Sequence, residues 1–264
     1  MATSSTGSTN TAADLTHAVA ENKRRALVML AGVALVVLVL GCVLGLVLGA
    51  LVVGALAGLV VGCGLALVTY LRSERMALAR SRAVVAGVDE FPRYHNLVEG
   101  LCVAAGLPKP ELYVVEDPAR NAFVTGRDPK HAAIAVTTGI LDELNRVELE
   151  GVLACELSRI KSRDTLPETV AVLLSTGPMG LLAKLGAPRP AQVFAADAAG
   201  VQLTRYPPGL CSALQKVREG GAVVRSASRA TAALWLEWPL PDDGGGSTGA
   251  RAPLAERIRI LEDM

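Results

Sequence analysis

The stretch LACELSRIKSRD, Leu153–Asp164, decides how this chain is read. Asn145, followed three residues later by Glu148, forms a capping-box pattern ahead of it, and Leu149, Val152, Leu153, Leu157 and Ile160 recur at helical spacing. Glu156 falls in the middle of that apolar stripe, while Cys155 and Arg159, four residues apart, line its neighbouring edge. A carboxylate on a core-facing line is costly unless something pairs with it. The pattern therefore predicts either a partner for Glu156 or a helix that turns this position out to solvent.

Upstream, the chain reads as a membrane anchor. Ala26 to Leu71 is a run of 46 positions with no charged residue, built from Leu, Val, Ala and Gly. One helix of that length would rise roughly 69 Å, about twice the hydrocarbon core, so two spans of about 20 residues joined by a tight turn fit better. Gly41, Gly45 and Gly49, then Gly54, Gly58 and Gly62, recur every four residues. This spacing lets two helices approach closely in lipid, or reflects the tolerance of membrane helices for glycine. Lys23, Arg24 and Arg25 precede the run, and Arg72, Arg75, Arg80 and Arg82 follow it. The positive-inside rule then places both ends in the cytoplasm, with these cations as a membrane-flanking anchor.

The leader MATSSTGSTNTAAD lacks a basic start, and the apolar run is too long for a signal-peptide core. The expected organisation is a disordered tail over 1–22, a transmembrane hairpin over 23–72, a basic linker helix over 73–90 and a folded domain over 91–264. Such a chain is expected in the plasma (inner) membrane, multi-pass, with the domain on the cytoplasmic side. A hydrophobic fraction of 51% in 264 residues and a mean hydropathy of +0.40 agree with a membrane protein. Cys42 and Cys63 fall in the hairpin and Cys102, Cys155 and Cys211 beyond it, with no CxxC pair, which argues against a disulfide framework. A net charge of +1 implies no nucleic-acid partner.

Within the domain, Tyr94, Leu97, Val98, Leu101, Cys102 and Ala105 share one helix face, which Gly106 and Pro108 end. ELYVVE, NAFVTG and AAIAVTTG follow as short strand-like runs separated by turn chemistry, and are expected to form a small antiparallel sheet. Beyond Asp164, Val170 to Leu185 is apolar but interrupted by Gly177, Pro178 and Lys184, and too short for a confident span. A helix over Ala191 to Leu203, a turn at RYPPG and an apolar stretch Leu210 to Val217 come next. PDDGGGSTGA (241–250) is a flexible loop by composition, and PLAERIRILEDM closes with Pro253 at a helix start and a Leu254, Ile258, Leu261 stripe.

From Asn96 to the C-terminus these segments resemble the HtpX-like membrane zinc endopeptidases, gluzincins that include prenyl-protein endopeptidases. The resemblance is carried by NLVEGLCVAAGLPKPELYVVEDPARNAFVTG, AVTTGILDELNRVELEGVLACELSRIKSRDT, FAADAAGVQLTRYPPGL and PLAERIRILEDM. It implies an α+β chain in which an amino-terminal transmembrane α-helical hairpin precedes a zincin-like, mostly helical domain with a small antiparallel sheet. In that family a His-Glu-x-x-His helix supplies two zinc ligands and the general base, and a Glu-x-x-Ala-Asp segment supplies the third ligand. Here only Glu156 stands at its motif position. Cys155 and Arg159 replace the histidines and Val193 replaces the ligand glutamate, while Ala196 and Asp197 are kept. A His-Pro element of the family corresponds to Arg251 and Ala252, and its extra hydrophobic spans are reduced to Val170–Leu185.

A catalytic zinc needs three protein ligands and an open water site. Cys155 has a sulfur to offer, Val193 has no donor atom, and Arg159 brings a fixed positive charge. No metal and no cofactor are therefore expected, although zinc serves the resembling family. His95, expected on the solvent side of its helix, and His131, in a turn, do not complete a site. The expected replacement is an ion pair in which the Arg159 guanidinium bridges Glu156 and Asp197; the alternative is that these positions drifted freely.

In the resembling family NAFVTG lies by the edge strand to which substrate peptides add. Asn121, Ala122, Phe123, Val124 and Thr125 are therefore candidates for a peptide-binding edge that needs no zinc, or for a strand that only completes the sheet. Three functions follow as expectations. The first is an inactive, membrane-anchored peptidase relative (a pseudopeptidase) in protein quality control, binding membrane-protein or peptide segments or an active homologous peptidase. The second is an active zinc endopeptidase with a non-standard site, and the third is a membrane scaffold whose hairpin carries the partner contact.

Overall fold

The computed structural model describes residues 6–175, 180–241 and 252–264. Gly177, Pro178, Arg251 and the expected flexible loop after Pro241 lie outside the described residues.

Helices α1 (Thr6–Val47) and α2 (Leu51–Arg80) form an antiparallel hairpin about the three-residue turn Leu48–Ala50. Both are long and apolar enough to cross a membrane. The glycine spacing sets their approach. A Cβ on Gly41 would sit 2.6 Å from the carbonyl oxygen of Gly54, and one on Gly54 would sit 2.6 Å from the Cα of Gly45. Only hydrogen fits at these crossings, so the backbones gain dispersion contacts along the seam.

Two expectations about the flanks are corrected. The tail expected to be disordered through residue 22 is helical from Thr6, continuous with the first span. Its end is anchored: Asn22 is fully buried and donates from Nδ2 to Asp164 Oδ1 at 2.6 Å. The linker expected as a separate basic helix is, up to Arg80, the last turns of α2, after which β1 (Val84–Val85) joins the sheet.

The domain continues through α3 (Pro92–Ala105), β2 (Glu111–Val115), β3 (Ala122–Asp128) and β4 (His131–Thr137). Pro92 opens α3 and Gly106, at φ 67°, ends it in the left-handed conformation. The strands are ordered β1-β2-β4-β3. β2 runs parallel to β4, and the β1–β2 and β3–β4 pairs are antiparallel, so the sheet is mixed rather than antiparallel. The chain passes over β4 before β3 turns back through Asp128–His131, and that crossover makes β2 and β4 parallel. Residue alternation within a strand does not reveal its neighbour's direction.

The remaining helices are α4 (Thr138–Glu143), α5 (Arg146–Ser162), α6 (Thr165–Leu174), α7 (Gly180–Ala183), α8 (Pro190–Thr204), α9 (Pro207–Gly220) and α10 (Leu254–Glu262). The Asn145–Glu148 capping box forms with both halves in place. Leu149, Val152, Leu153, Leu157 and Ile160 join the main core together with residues of α3, α9, α10 and one face of the sheet. A second cluster on the other face centres on Phe123, Val172 and Trp235. A third joins Ala26, Met29 and Val33 of α1 to Leu166, Val170, Ala171 and Leu174 of α6. The apolar segment that sequence left undecided thus packs along the first two turns of the uncharged run.

Candidate active site on the α5 and α8 helices

α5 is enclosed on nearly every face, so the side chains of Cys155, Glu156 and Arg159 are held in the interior rather than on a cleft. α8 packs against it antiparallel. A Cβ at Gly200 would come 2.7 Å from the Cys155 nitrogen, which fixes the helices at close range. Cys155 meets Asp197 at one end of the contact and Asp164 meets Gln192 at the other. Val193 is buried in the first turn of α8.

Two buried ion-pair clusters are built on this helix pair, one on α5 and one on α8. In the first, Arg159 Nη1 donates to Glu156 Oε2 at 2.7 Å and Nη2 donates to Glu168 Oε2 of α6 at 2.7 Å. All three residues are buried. Burial opposes the guanidinium charge, but the carboxylates of Glu156 and Glu168 outweigh it and hold the Arg159 pKa above its ordinary value. In the second, Arg257 of α10 makes a two-pronged contact with Asp197, Nε to Oδ2 and Nη2 to Oδ1, both 2.8 Å. The Cys155 thiol donates to Asp197 Oδ1 at 3.2 Å.

The expected Arg159–Glu156 pair is therefore present, but the bridge from Arg159 to Asp197 is not formed. Each guanidinium takes the carboxylate that its own helix packing brings nearest: Glu168 for Arg159, Asp197 for Arg257. Sequence reasoning missed both Glu168 and Arg257. A signal existed for Arg257, which sits on the Leu254, Ile258, Leu261 stripe and was bound to point inward. Glu168 carried no comparable signal, because its contact depends on how α6 folds back over α5.

These donors do not fit a zinc ion. Burial, then the charges of Asp197 and Glu156, push the Cys155 thiol well above its ordinary pKa, so it stays a thiol and a poor ligand. Val193 presents only carbon, and a guanidinium occupies the approach to Glu156. Glu156 Oε1 is left without a hydrogen-bond partner, but a single carboxylate oxygen beside a fixed cation is not a metal site. No group of three or more His, Cys, Asp or Glu side chains among the described residues is arranged to hold a metal. His95 is buried rather than solvent-facing, its Nε2 lying 3.0 Å from the Ala86 carbonyl oxygen, because the β1 segment folds over α3. His131 stays exposed and pairs with Asp128.

The candidate peptide-binding edge is in the expected place but not open. β3 is the terminal strand, yet Asn121, Ala122, Phe123, Val124 and Thr125 are all fully buried. The chain's own segment 234–237 lies along it: Leu236 N donates to the Ala122 carbonyl at 2.6 Å, and Trp235 bridges Phe123 with ring centroids 4.6 Å apart. Asn121 clamps the segment, donating from Nδ2 to the Glu237 carbonyl and accepting from Glu237 N. Further along, α6 covers the strand, with Thr125 Oγ1 3.0 Å from Thr169 Oγ1. Arg257 also donates to the Leu236 carbonyl at 3.0 Å, so the second ion-pair cluster secures the same segment.

A transmembrane hairpin, a mixed sheet and a helix pair that brings Cys155, beside Glu156, against Asp197 define a zincin-like membrane peptidase scaffold. Similarity to known proteins agrees with it. The sequence profile of Peptidase family M48 matches residues 89–204. The protease HtpX homolog of Dictyoglomus thermophilum is 36% identical over 236 residues, covering 74% of this chain and 77% of that one. Those of Tropheryma whipplei (35% over 240 residues; 76% and 82%) and Caldanaerobacter subterraneus subsp. tengcongensis (34% over 244; 75% and 80%) are similar to the same extent. The chain belongs to the HtpX-like proteins of peptidase family M48.

Proposed function

We propose that this chain is a catalytically silent member of its family, a membrane-anchored pseudopeptidase that binds membrane-protein segments or an active homologous peptidase. The observation that carries the reading is Arg159, whose guanidinium is tied to Glu156 and Glu168 where hydrolysis would need a metal-bound water. A general base ion-paired to a fixed cation has no activated nucleophile to serve. The spans cross the plasma (inner) membrane twice, and Lys23, Arg24, Arg25, Arg72 and Arg75 favour a cytoplasmic domain.

The filled edge bears on how a partner is held. An extended peptide adds to β3 only when the segment 234–237 leaves it. The glycine faces of the hairpin are spent on each other, which weighs against a scaffold whose glycines contact a partner. The test is casein cleavage by detergent-purified protein with Glu156→Gln in parallel, together with affinity capture of an active HtpX-type peptidase from the same membrane. No cleavage above the control, with capture of the peptidase, supports the reading. Cleavage lost in Glu156→Gln makes it a working peptidase, and partners that survive deletion of the domain make it a scaffold.

A further inference from the structure

The basic residues ahead of the apolar run do more than flank it. Arg24, Arg25, Lys184 and Arg189, together with Glu21, Val28 and Leu185, line a pocket of about 450 Å³ between α1 and the turn that follows α7. Four cations converge there against one carboxylate. Glu21 is taken by Arg189. Arg25 is spent on the pocket wall, donating to the carbonyls of Leu185 (2.6 Å) and Ala187 (2.8 Å) and to Gln192 Oε1. Those bonds hold the 184–187 turn against α1 and cost the guanidinium none of its charge. The side chains of Arg24 and Lys184 have no hydrogen-bond or ion-pair partner among the described residues and are exposed.

The level of the pocket identifies its ligand. Arg25 is the last charged residue before the uncharged run. Leu182 packs on Gly32, 3.0 Å from where its Cβ would be, so α7 lies beside the first two turns of the span. Leu181 is 75% exposed, Leu185 44% and Val28 51%. Unpaired cations on one side and bare aliphatic side chains on the other match a molecule with an anionic head and acyl tails.

We propose that this pocket binds the phosphate headgroup of an anionic phospholipid from the leaflet in which α1 begins. Arg24 and Lys184 contact the phosphate oxygens, Arg25 and Arg189 supply the surrounding field, and the acyl chains run past Val28, Leu181 and Leu185. A free phosphate shares the head chemistry but leaves the aliphatic rim in water. The inference depends on α1 spanning a bilayer and not on whether the Glu156 centre is silent.

The test uses the full chain reconstituted in vesicles of phosphatidylcholine containing phosphatidylglycerol, followed by release into detergent and native mass spectrometry. One phosphatidylglycerol per chain is expected to be retained in preference to phosphatidylcholine. Arg24→Gln combined with Lys184→Gln removes two cations that brace nothing, and is expected to weaken retention roughly thirtyfold. Lys23→Gln combined with Arg72→Gln, outside the pocket, is expected to retain the lipid. Equal retention of both lipids, equal loss in the two double variants, or no loss in the first overturns the proposal. Protection of the detergent-solubilised protein against heat by inorganic phosphate as strong as that by phosphatidylglycerol also overturns it, in favour of a free-anion site.

Discussion

Arg159 Nη1 lies 2.7 Å from Glu156 Oε2 three residues away on one helix, with the Glu156 side chain fully buried and that of Arg159 6% exposed. The carboxylate that the sequence left in want of a partner has found it within its own turn. The other arm of the guanidinium reaches Glu168, so α5 and α6 share one buried cation.

Truncation of Arg159 is expected to be severe. Arg159→Met removes the cation that Glu156 and Glu168 share, a loss of roughly 3–5 kcal/mol. Adding Glu156→Gln and Glu168→Gln to Arg159→Met is expected to recover much of that loss, since the carboxylate charges that Arg159 balanced are then removed with it. Thermal unfolding in detergent checks both, and a triple variant no more stable than Arg159→Met contradicts the pairing.

The two clusters predict a pattern of coupling. Double-mutant cycles between Arg159 and Glu156, and between Arg257 and Asp197, are expected to give large interaction energies, while a cycle between Arg159 and Asp197 gives a much smaller one. A dominant Arg159–Asp197 term would restore the bridge that the sequence suggested and the structure does not have.

Hairpin packing is testable at single glycines. Gly54→Val forces a side chain into the Gly45 backbone and is expected to lower the unfolding temperature, whereas Gly64→Val meets nothing within 4 Å and is expected to be neutral. Equal midpoints for the two variants would show that the helices do not pack along this seam.

Acid sensitivity has a nameable source in the capping box. Burial raises the Glu148 pKa, but hydrogen bonds from Lys216, Ser212 and the Asn145 backbone outweigh it and lower the pKa below the ordinary 4.5. A depressed carboxylate contributes stability that is present above its unfolded pKa and lost as pH falls through the folded one. The folded chain is therefore expected to lose stability below about pH 4.5, and Glu148→Gln to flatten that part of the profile, as read by unfolding midpoints across the acid range.

Peptide addition to β3 is expected to fail in the intact chain. A fluorescent extended peptide should show no saturable anisotropy change, and Trp235→Ala should cost about 3–5 kcal/mol of stability by emptying a fully buried site. Saturable binding to the unaltered protein would mean that the segment 234–237 exchanges readily with a peptide.

Local features were legible in the sequence because their causes are local. The Asn145–Glu148 box, the Gly106 stop on α3, the glycine repeats of the hairpin and the Leu254, Ile258, Leu261 stripe each declare themselves within a few residues. What was illegible is long-range. Glu168 reaches Arg159 only because α6 folds back, and Trp235 reaches Phe123 from more than 100 positions away. The parallel pairing of β2 with β4 likewise depends on a crossover that no alternation pattern records. At the centre, residue types set the expectation that Cys155, Arg159 and Val193 replace the ligands, but packing decided which carboxylate each arginine took.

The central claim is that a guanidinium and its carboxylates stand where a zinc site would. Elemental mass spectrometry of the detergent-purified full-length chain tests it most directly, alongside the combined variant Cys155→His, Arg159→His and Val193→Glu. The account predicts no stoichiometric zinc in the unaltered protein and zinc uptake in the folded triple variant, which restores three donors to the α5 and α8 helices. Stoichiometric zinc in the unaltered protein would contradict it.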